Sequence, residues 1–219
     1  MRTQAKIFSR KSQMIGTKCF YSDIGGKTVV AQCHEVLAVQ AQWLLDYLKK
    51  KFALESDKLK DGFKIQVGWS ILCFLEKDSE LILAEPNYQE NPFQDWRDDI
   101  TDTLTVQAQQ NHILQLLGIA DSVPALFQDK IVFAKGAFFE RQIRLERGLN
   151  PPPGDSGWYA GPVTASKDNP AYEAIYVYQL IHHRPALLQL LSLPHGFSAI
   201  VDGNDVIRIE GPGDKVWNL

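Results

Sequence analysis

The sequence predicts an α+β fold in two parts, each a small sheet packed by helices and built mainly from antiparallel hairpins. Three observations support this class. Apolar residues recur at helical spacing in residues 34–53, two apolar runs flank the polar turn 76–79, and two more flank the turn 202–205. We therefore predict an N-terminal domain over residues 1–125 and a C-terminal domain over residues 126–219.

The composition is that of an ordinary folded protein. The chain has 219 residues, of which 45% are hydrophobic and 22% charged, and its formal net charge is −3. Acidic and basic residues are mixed, with no basic tract, so we expect no nucleic acid as a partner. No apolar run approaches the roughly 20 residues that a membrane span requires, so we expect no membrane partner either.

The N-terminal segment and the cysteines both favour a cytoplasmic protein. Residues 1–20 are basic and lack the apolar core of a secretory signal. The three cysteines, Cys19, Cys33 and Cys73, have no regular spacing, so we expect no disulfide. Neither zinc-ligand spacing nor a nucleotide-binding glycine loop occurs, and we predict no metal and no cofactor.

In the first half, the pattern predicts the order helix, strand, strand, helix. The first helix covers residues 34–53, and its Trp43 and Tyr47 could form an interaction face, although core is the favoured interpretation. The strands cover residues 63–75 and 81–84. The second helix opens at Asn91-Pro92, which suit the N-cap and first helical position, and ends before Gly118.

In the second half, a packed connector over residues 121–128 leads to a strand at 131–134. Residues 138–145 fit a strand or a short helix, and a helix would align Arg141, Arg144 and Arg147 on one face. Residues 172–193 read as two short helices, the second beginning at Pro185. A final hairpin joins residues 197–201 and 206–209 across strong turn residues.

The stretch Pro151–Trp158 contains three prolines and two glycines, which predict an irregular loop. Its Gly154-Asp155-Ser156-Gly157 matches the start of the nucleophile motif of chymotrypsin-like proteases, so Ser156 is a candidate nucleophile of a serine hydrolase. Trp158 stands where that motif has glycine. The predicted helices disagree with an all-β protease, and no histidine carries a recognisable motif.

Two other clusters of polar residues have a catalytic or metal-binding interpretation. Asp95, Asp98, Asp99 and Asp102 would share one face of the second helix, where they could hold a cation. A solvated first turn that matches the helix dipole is the favoured interpretation. His182 and His183 fit the end of a helix better than a pair of ligands.

The second half resembles the Imm33 family of bacterial immunity proteins, formerly a domain of unknown function. The resemblance covers about residues 130–210. It rests on the DSGW core at Asp155–Trp158, the following Gly161, an apolar helix pair with proline between its members, the Leu-Leu-x-x-Pro-x-Gly ending at 190–196, and a last hairpin. Tyr159-Ala160-Gly161-Pro162 departs from the acidic glycine loop expected after DSGW, and the first half lies outside the pattern.

The resemblance implies a protein that binds a cognate bacterial toxin and neutralises it by steric occlusion, without catalysis. The motif residues Asp155, Ser156, Gly157, Trp158 and Tyr159 would then either hold the fold or contact the toxin. Two alternatives stay open from the sequence. One is a serine hydrolase using Ser156, and the other is a protein-interaction module outside toxin biology.

Overall fold

The computed structural model describes residues 16–164 and 171–219. Over these residues the chain forms two mostly antiparallel sheets with a few helices, which confirms the predicted α+β class. The sheets are larger than predicted, with six and seven strands. None of the helices in the described ranges is long and apolar enough to cross a membrane.

The first sheet has the strand order β1-β2-β5-β4-β3, with β6 paired to β5. Only β2 and β5 run parallel, and the other neighbours are antiparallel. Its elements are β1 (Thr17–Ile24), β2 (Lys27–His34), α1 (Ala38–Lys51), β3 (Lys64–Val67), β4 (Ser70–Lys77), β5 (Glu80–Pro86), β6 (Trp96–Arg97) and α2 (Thr101–Leu117).

The β1–β2 hairpin is absent from the predicted order. Its turn consists of Gly25 and Gly26, with φ of 61° and 79°, a left-handed pair that suits a tight hairpin turn. The predicted strand 63–75 is instead two strands, because the chain reverses at Gly68 (φ 56°) and buries the Trp69 ring. The hairpin predicted across residues 76–79 is confirmed by the pairing of β4 with β5.

The predicted helix start at Asn91-Pro92 is wrong. The Asn91 side chain accepts a hydrogen bond from the Phe93 amide at 3.1 Å, and its carbonyl accepts from Asp95 at 2.8 Å, which closes a turn. The chain then pairs with β5 through β6, and the helix begins ten residues later, at Thr101. Its end is as predicted, with Gly118 in the left-handed conformation.

The second sheet has the strand order β10-β7-β9-β8-β11-β12-β13. β7 and β9 run parallel, and the other neighbours are antiparallel. Its elements are β7 (Lys130–Ala134), β8 (Gln142–Arg147), β9 (Asp155–Pro162), β10 (Tyr172–Tyr176), α3 (Leu180–His183), a 3₁₀ segment (Pro185–Leu190), β11 (Ser198–Asp202), β12 (Asp205–Gly211) and β13 (Lys215–Asn218).

Two predictions in this half need correction, and one open alternative is decided. The DSGW residues lie on strand β9 and not in an irregular loop. Residues 172–176, predicted to be helical, form β10, although Pro185 does start the next helical segment. Of the strand and the short helix left open for residues 138–145, the structure has the strand β8, on which Arg144 and Arg147 point to opposite faces of the sheet.

Each sheet has its own apolar core, and α2 contributes to both. Leu104 belongs to the core of the first sheet, and Ile113 and Leu117 belong to the core of the second. The connector 121–128 is packed as predicted, with Ala125 and Phe127 buried. The division of the chain into domains near residue 125 stays a prediction.

A buried ionic cluster joins β5, β6 and α2. The carboxylate of Glu85 is fully buried, accepts a hydrogen bond from the Thr103 amide at 2.7 Å and pairs with the Arg97 guanidinium. Arg97 also contacts Asp102 at 2.7 Å. Burial, reinforced by the nearby charge of Asp102, raises the pKa of Glu85 to about 8.

This raised pKa predicts a stability difference that depends on pH. The folded-state pKa of Glu85 lies above its unfolded value, so the protonated carboxyl stabilises the fold fully below the unfolded pKa of about 4.3. That contribution is lost as the pH rises through about 8. We expect the stability of wild type relative to Glu85→Gln to fall between these pH values, by up to about 1.4 kcal/mol per pH unit. Urea unfolding of both proteins across this range measures the difference, and a difference that does not change with pH would contradict the expectation.

Candidate functional site

The five motif residues lie on β9, the third strand of the second sheet, and alternate between its faces. Ser156 and Trp158 point toward the core and are buried, whereas Asp155 and Tyr159 point outward and are half-buried. This alternation follows from the two-residue period of a strand. The motif therefore contributes differently to the inner and outer faces of the sheet.

On the inner face, the Ser156 hydroxyl joins two strands. It donates a hydrogen bond to the Lys130 carbonyl on β7 at 2.7 Å and accepts one from the Trp158 amide at 3.1 Å. The hydroxyl proton is thus used within the fold. Among the described residues, no histidine contacts Ser156, so the geometry does not support a nucleophilic role.

The histidines near this half have structural contacts of their own. His195 Nδ1 lies 2.9 Å from the Gly148 carbonyl, and His182 Nε2 lies 2.8 Å from the Tyr88 carbonyl. His182 and His183 occupy the last turn of α3, as predicted. Each of the two bonded rings holds a loop carbonyl, and neither is oriented by a carboxylate as a general base would be.

Asp155 and Gly157 shape the backbone at the start of β9. The Asp155 carboxylate accepts a hydrogen bond from the Gly157 amide at 2.7 Å. Gly157 has φ of 77°, and a Cβ at this position would lie 3.2 Å from Pro151 Cγ, so the proline loop packs directly over it. The Gly157 carbonyl accepts from the Gly148 amide at 2.9 Å, which ties this strand to the end of β8.

Trp158 is part of the core of the second sheet, with 1% of its surface exposed. The guanidinium carbon of Arg147 lies 5.6 Å from the centroid of the indole. A binding partner therefore cannot contact the Trp158 ring without opening the core.

Arg147 lies at the end of β8 and points into the core. Its guanidinium is buried and donates to three backbone carbonyls, those of Ser156 at 3.2 Å, Leu193 at 2.5 Å and Val123. Burial lowers its pKa to about 10, so it stays charged at neutral pH. Arg147 thus links β9, the residues that follow the 3₁₀ segment, and the connector 121–128.

The outer face carries a cleft of about 660 Å³ at the end of the sheet where β8, β9 and β10 meet the residues after β7. Its aromatic walls are Tyr159 and Tyr172, whose ring centroids lie 5.8 Å apart. Its charged lining consists of Lys135, Glu140, Arg144 and Glu146. We refer to this feature as the tyrosine cleft.

The shape of the tyrosine cleft depends on Gly161. A Cβ at Gly161 would lie 2.5 Å from the Tyr159 hydroxyl, so only glycine lets the ring lie along the strand at this point. Tyr159 is also the cross-strand partner of Glu146 on β8. Burial, with smaller effects of Tyr172 and Glu146, raises the pKa of the Tyr159 phenol, which remains a hydrogen-bond donor at neutral pH.

A network of ion pairs fixes the charged side of the cleft. Arg144 contacts Glu146 at 2.6 Å and Glu210 at 2.7 Å, and it also donates to the Ser198 hydroxyl at 2.9 Å. Hydrogen bonds from Arg144 hold the pKa of Glu210 below its usual value. Because Arg144 bridges β8, β11 and β12, its guanidinium is held in place before any ligand arrives.

The aspartates that suggested a cation site are separated by the fold. Asp98 pairs with Lys77 at 2.5 Å, Asp99 accepts from the Thr101 amide at 2.8 Å, and Asp102 pairs with Arg97. Only Asp102 of the four lies in α2. In residues 16–164 and 171–219, no group of three or more potential ligands could hold a metal ion.

Comparison with known proteins gives one match. A family model described as the Imm33-like domain matches residues 109–218, half of the chain, and begins within α2 and not near residue 130 as expected. No curated protein and no solved structure matches the chain. The matched segment contains the whole second sheet, the five motif residues and the tyrosine cleft. The chain belongs to the Imm33-like family.

Proposed function

We propose that this protein is an immunity protein that binds a cognate bacterial toxin and neutralises it by steric occlusion. The observation that carries the proposal is the Imm33-like domain over residues 109–218, because the family name denotes immunity proteins. The geometry of Ser156 supports a role without turnover, since its hydroxyl is committed to the Lys130 carbonyl and the Trp158 amide.

The proposed toxin-binding surface is the outer face of the second sheet around the tyrosine cleft. Its concave shape, its two tyrosines and its fixed Arg144 are properties of protein-binding hot spots, where rigid aromatic side chains bury area at low entropic cost. The motif residues on the inner face of the sheet hold this outer surface in place. Trp158 and Ser156 fix strand β9, from which Tyr159 projects toward the outer face.

The proposed compartment is the cytoplasm. All three cysteines are free, and Cys33 and Cys73 are buried, as expected for a protein that folds in a reducing environment. Burial raises the pKa of the Cys33 thiol to about 11, so this cysteine is an unreactive core residue. A cognate toxin would then act on a cytoplasmic target.

A toxicity rescue tests the proposed function. The product of the adjacent upstream gene is expressed in a bacterium with and without this chain, and the two products are tested for co-purification. We expect growth to be restored and a stable complex to be recovered. A harmless neighbour with no complex would contradict the proposal. Labelling by a fluorophosphonate probe that is lost in Ser156→Ala would favour the hydrolase instead.

The proposed surface predicts the effect of Tyr172→Ala on toxin binding. Tyr172 is largely exposed, so its removal should leave the free energy of unfolding within about 0.5 kcal/mol of wild type. We expect the toxin dissociation constant to rise by roughly tenfold or more, the usual loss when an aromatic interface residue is truncated. Isothermal titration calorimetry measures this dissociation constant. The matched control is Leu116→Ala, on the exposed side of α2, and equal effects of both changes would exclude this surface.

A further inference from the structure

The second sheet has two edge strands, and β10 is the edge strand that contributes to the tyrosine cleft. β10 lies at one end of the strand order and β13 lies at the other. Tyr172, Glu173 and Ala174 of β10 are all exposed, and no proline interrupts them. An exposed edge without proline presents backbone amides and carbonyls to which another strand can bond.

The hydrogen bonds that flank β10 show which of its backbone groups bond to β7. At one end, the Lys135 amide donates to the Ala171 carbonyl at 2.8 Å. At the other end, the Val177 amide donates to the Asp129 carbonyl at 2.9 Å. Hydrogen-bonded and non-hydrogen-bonded residue pairs alternate along an antiparallel pair of strands. In the register of β10 with β7, the odd-numbered residues of β10 are therefore the ones that bond to β7.

The even-numbered residues of β10 point their backbone groups away from the sheet. The amides and carbonyls of Tyr172 and Ala174 have no hydrogen-bond partner among the residues that the structure describes. The next outward amide, that of Tyr176, is bonded to the Gln179 side chain at 2.8 Å. The unpaired groups of Tyr172 and Ala174 have the spacing that one extended strand would satisfy.

Tyr172 connects this open edge to the tyrosine cleft. Its ring lies 5.8 Å from the Tyr159 ring and forms one wall of the cleft, whereas its amide and carbonyl face the edge. The side chains of Tyr172, Ala174 and Tyr176 share the outer face of the sheet, because side chains alternate along a strand. A strand beside β10 would therefore place a side chain over Ala174, between the two tyrosines.

A second copy of β10 is a poor occupant of this edge. Two antiparallel registers would pair Tyr172 and Ala174 with residues of a second β10. The first sets Glu173 against its own copy, and like charges directly opposite each other destabilise a sheet. The second sets Tyr172 against Tyr176 of the other copy, whose amide is already bonded to Gln179. A strand from a different protein meets neither obstacle.

We propose that a segment of the cognate toxin adds to β10 as a further strand, bonded to the backbone of Tyr172 and Ala174. This inference rests on the proposed function, because it takes the toxin as the partner. In this mode of binding, main-chain hydrogen bonds supply affinity, and side chains that reach the tyrosine cleft supply specificity. The bound segment has an extended conformation, with an apolar side chain over Ala174.

Ala174→Pro tests this mode of binding, because proline has no amide to donate and its ring obstructs an incoming strand. The Ala174 amide points away from β7, so the change should leave the sheet intact. With the product of the adjacent upstream gene as the ligand, we expect the dissociation constant to rise by roughly thirtyfold or more. Isothermal titration calorimetry measures this constant, and circular dichroism checks the fold.

The matched control is Val216→Pro on β13, the opposite edge of the same sheet. Val216 is also exposed. Its amide points outward, because the Leu219 amide donates to the Ile207 carbonyl at 3.2 Å and bonded pairs alternate from there. Six strand spacings, roughly 29 Å, separate the two edges. We expect Val216→Pro to leave toxin binding unchanged.

Residue-resolved amide exchange is a second measurement, and it needs no variant. In the chain alone, we expect slow exchange at Glu173 and Ile175, which bond to β7, and fast exchange at Tyr172 and Ala174. In the complex, exchange at Tyr172 and Ala174 should slow by roughly tenfold or more, because each amide gains a partner. If Ala174→Pro fails to fold, this measurement decides.

The outcomes separate this inference from the proposed function. If wild type does not bind the upstream product, the proposed function fails and the inference fails with it. If wild type binds and Ala174→Pro binds equally well, the inference alone is overturned. The same holds if the Tyr172 and Ala174 amides still exchange rapidly in the complex. A dimer of the chain that Ala174→Pro dissociates would assign the edge to a second copy and would also overturn the inference.

Discussion

Replacement of Trp158 by alanine is expected to lower the free energy of unfolding by about 3–5 kcal/mol, the range measured for truncation of buried aromatic residues. The indole is almost completely buried in the core of the second sheet and stacks on the Arg147 guanidinium. Its loss leaves a cavity beside the buried Arg147 guanidinium. Trp158→Phe retains part of the volume and should cost less.

Denaturant unfolding followed by circular dichroism measures this loss. Trp43→Ala is the matched control, because it removes the same side chain from an exposed position. We expect Trp43→Ala to change the free energy of unfolding by less than about 1 kcal/mol. If Trp158→Ala keeps wild-type stability and yet abolishes toxin binding, Trp158 would be an interface residue and its placement in the core would be wrong.

The second large effect is expected at Arg147. Arg147→Ala removes this donor from the buried carbonyls of Ser156 and Leu193 and from the partly buried carbonyl of Val123. Each buried group that loses its partner costs about 1–3 kcal/mol, so we expect a total loss of about 3 kcal/mol or more. Arg147→Lys keeps the charge but lacks the planar fork, and should recover only part of the stability.

Arg141 provides the matched control for this change. It lies six residues earlier, its side chain is 85% exposed, and it pairs with Asp202 at the surface. Because exposed ion pairs contribute little, Arg141→Ala should cost less than about 1 kcal/mol. Thermal unfolding of Arg147→Ala and Arg141→Ala under the same conditions measures the stability that each change removes. Similar losses of stability in both variants would show that Arg147 has no special structural role.

Local signals in the sequence were sufficient for several elements. The turn residues at 202–205 and the paired apolar runs around 76–79 gave correct hairpins, because turn chemistry and alternation act over a few residues. The end of α2 at Gly118 was also predictable, because glycine alone adopts the left-handed cap without strain. The start of the same helix was not, since Asn91 forms a turn before β6 with the same side chain that suits an N-cap.

The errors of prediction in the second half of the chain arose where strand pairing outweighed a local preference for helix. Residues 172–176 are apolar enough for a helix, but their pairing with β7 makes them a strand. Arg141, Arg144 and Arg147 have helical spacing by coincidence, and only the strand places Arg144 outside and Arg147 inside. The β1–β2 hairpin did carry a usable signal, the Gly25-Gly26 turn between alternating residues.

The candidate site could be predicted only in part. The DSGW residues were identified from their motif, and an assignment of this segment to a strand would have placed Tyr159 on the face opposite Trp158. The tyrosine cleft also needs Tyr172 and Arg144, which come from strands on either side of the β7–β9 pair. Their approach depends on the strand order of the whole sheet, and no local pattern encodes that order.

Hydrogen–deuterium exchange of the chain with and without its purified toxin tests the central claim most directly, because it locates the bound surface without any mutation. We expect slower exchange in β8, β9 and β10 around Tyr159 and Tyr172, with no change in α1. Protection confined to other segments, or no change at saturating toxin, would contradict the claim that this protein neutralises a toxin by binding it with the outer face of its second sheet.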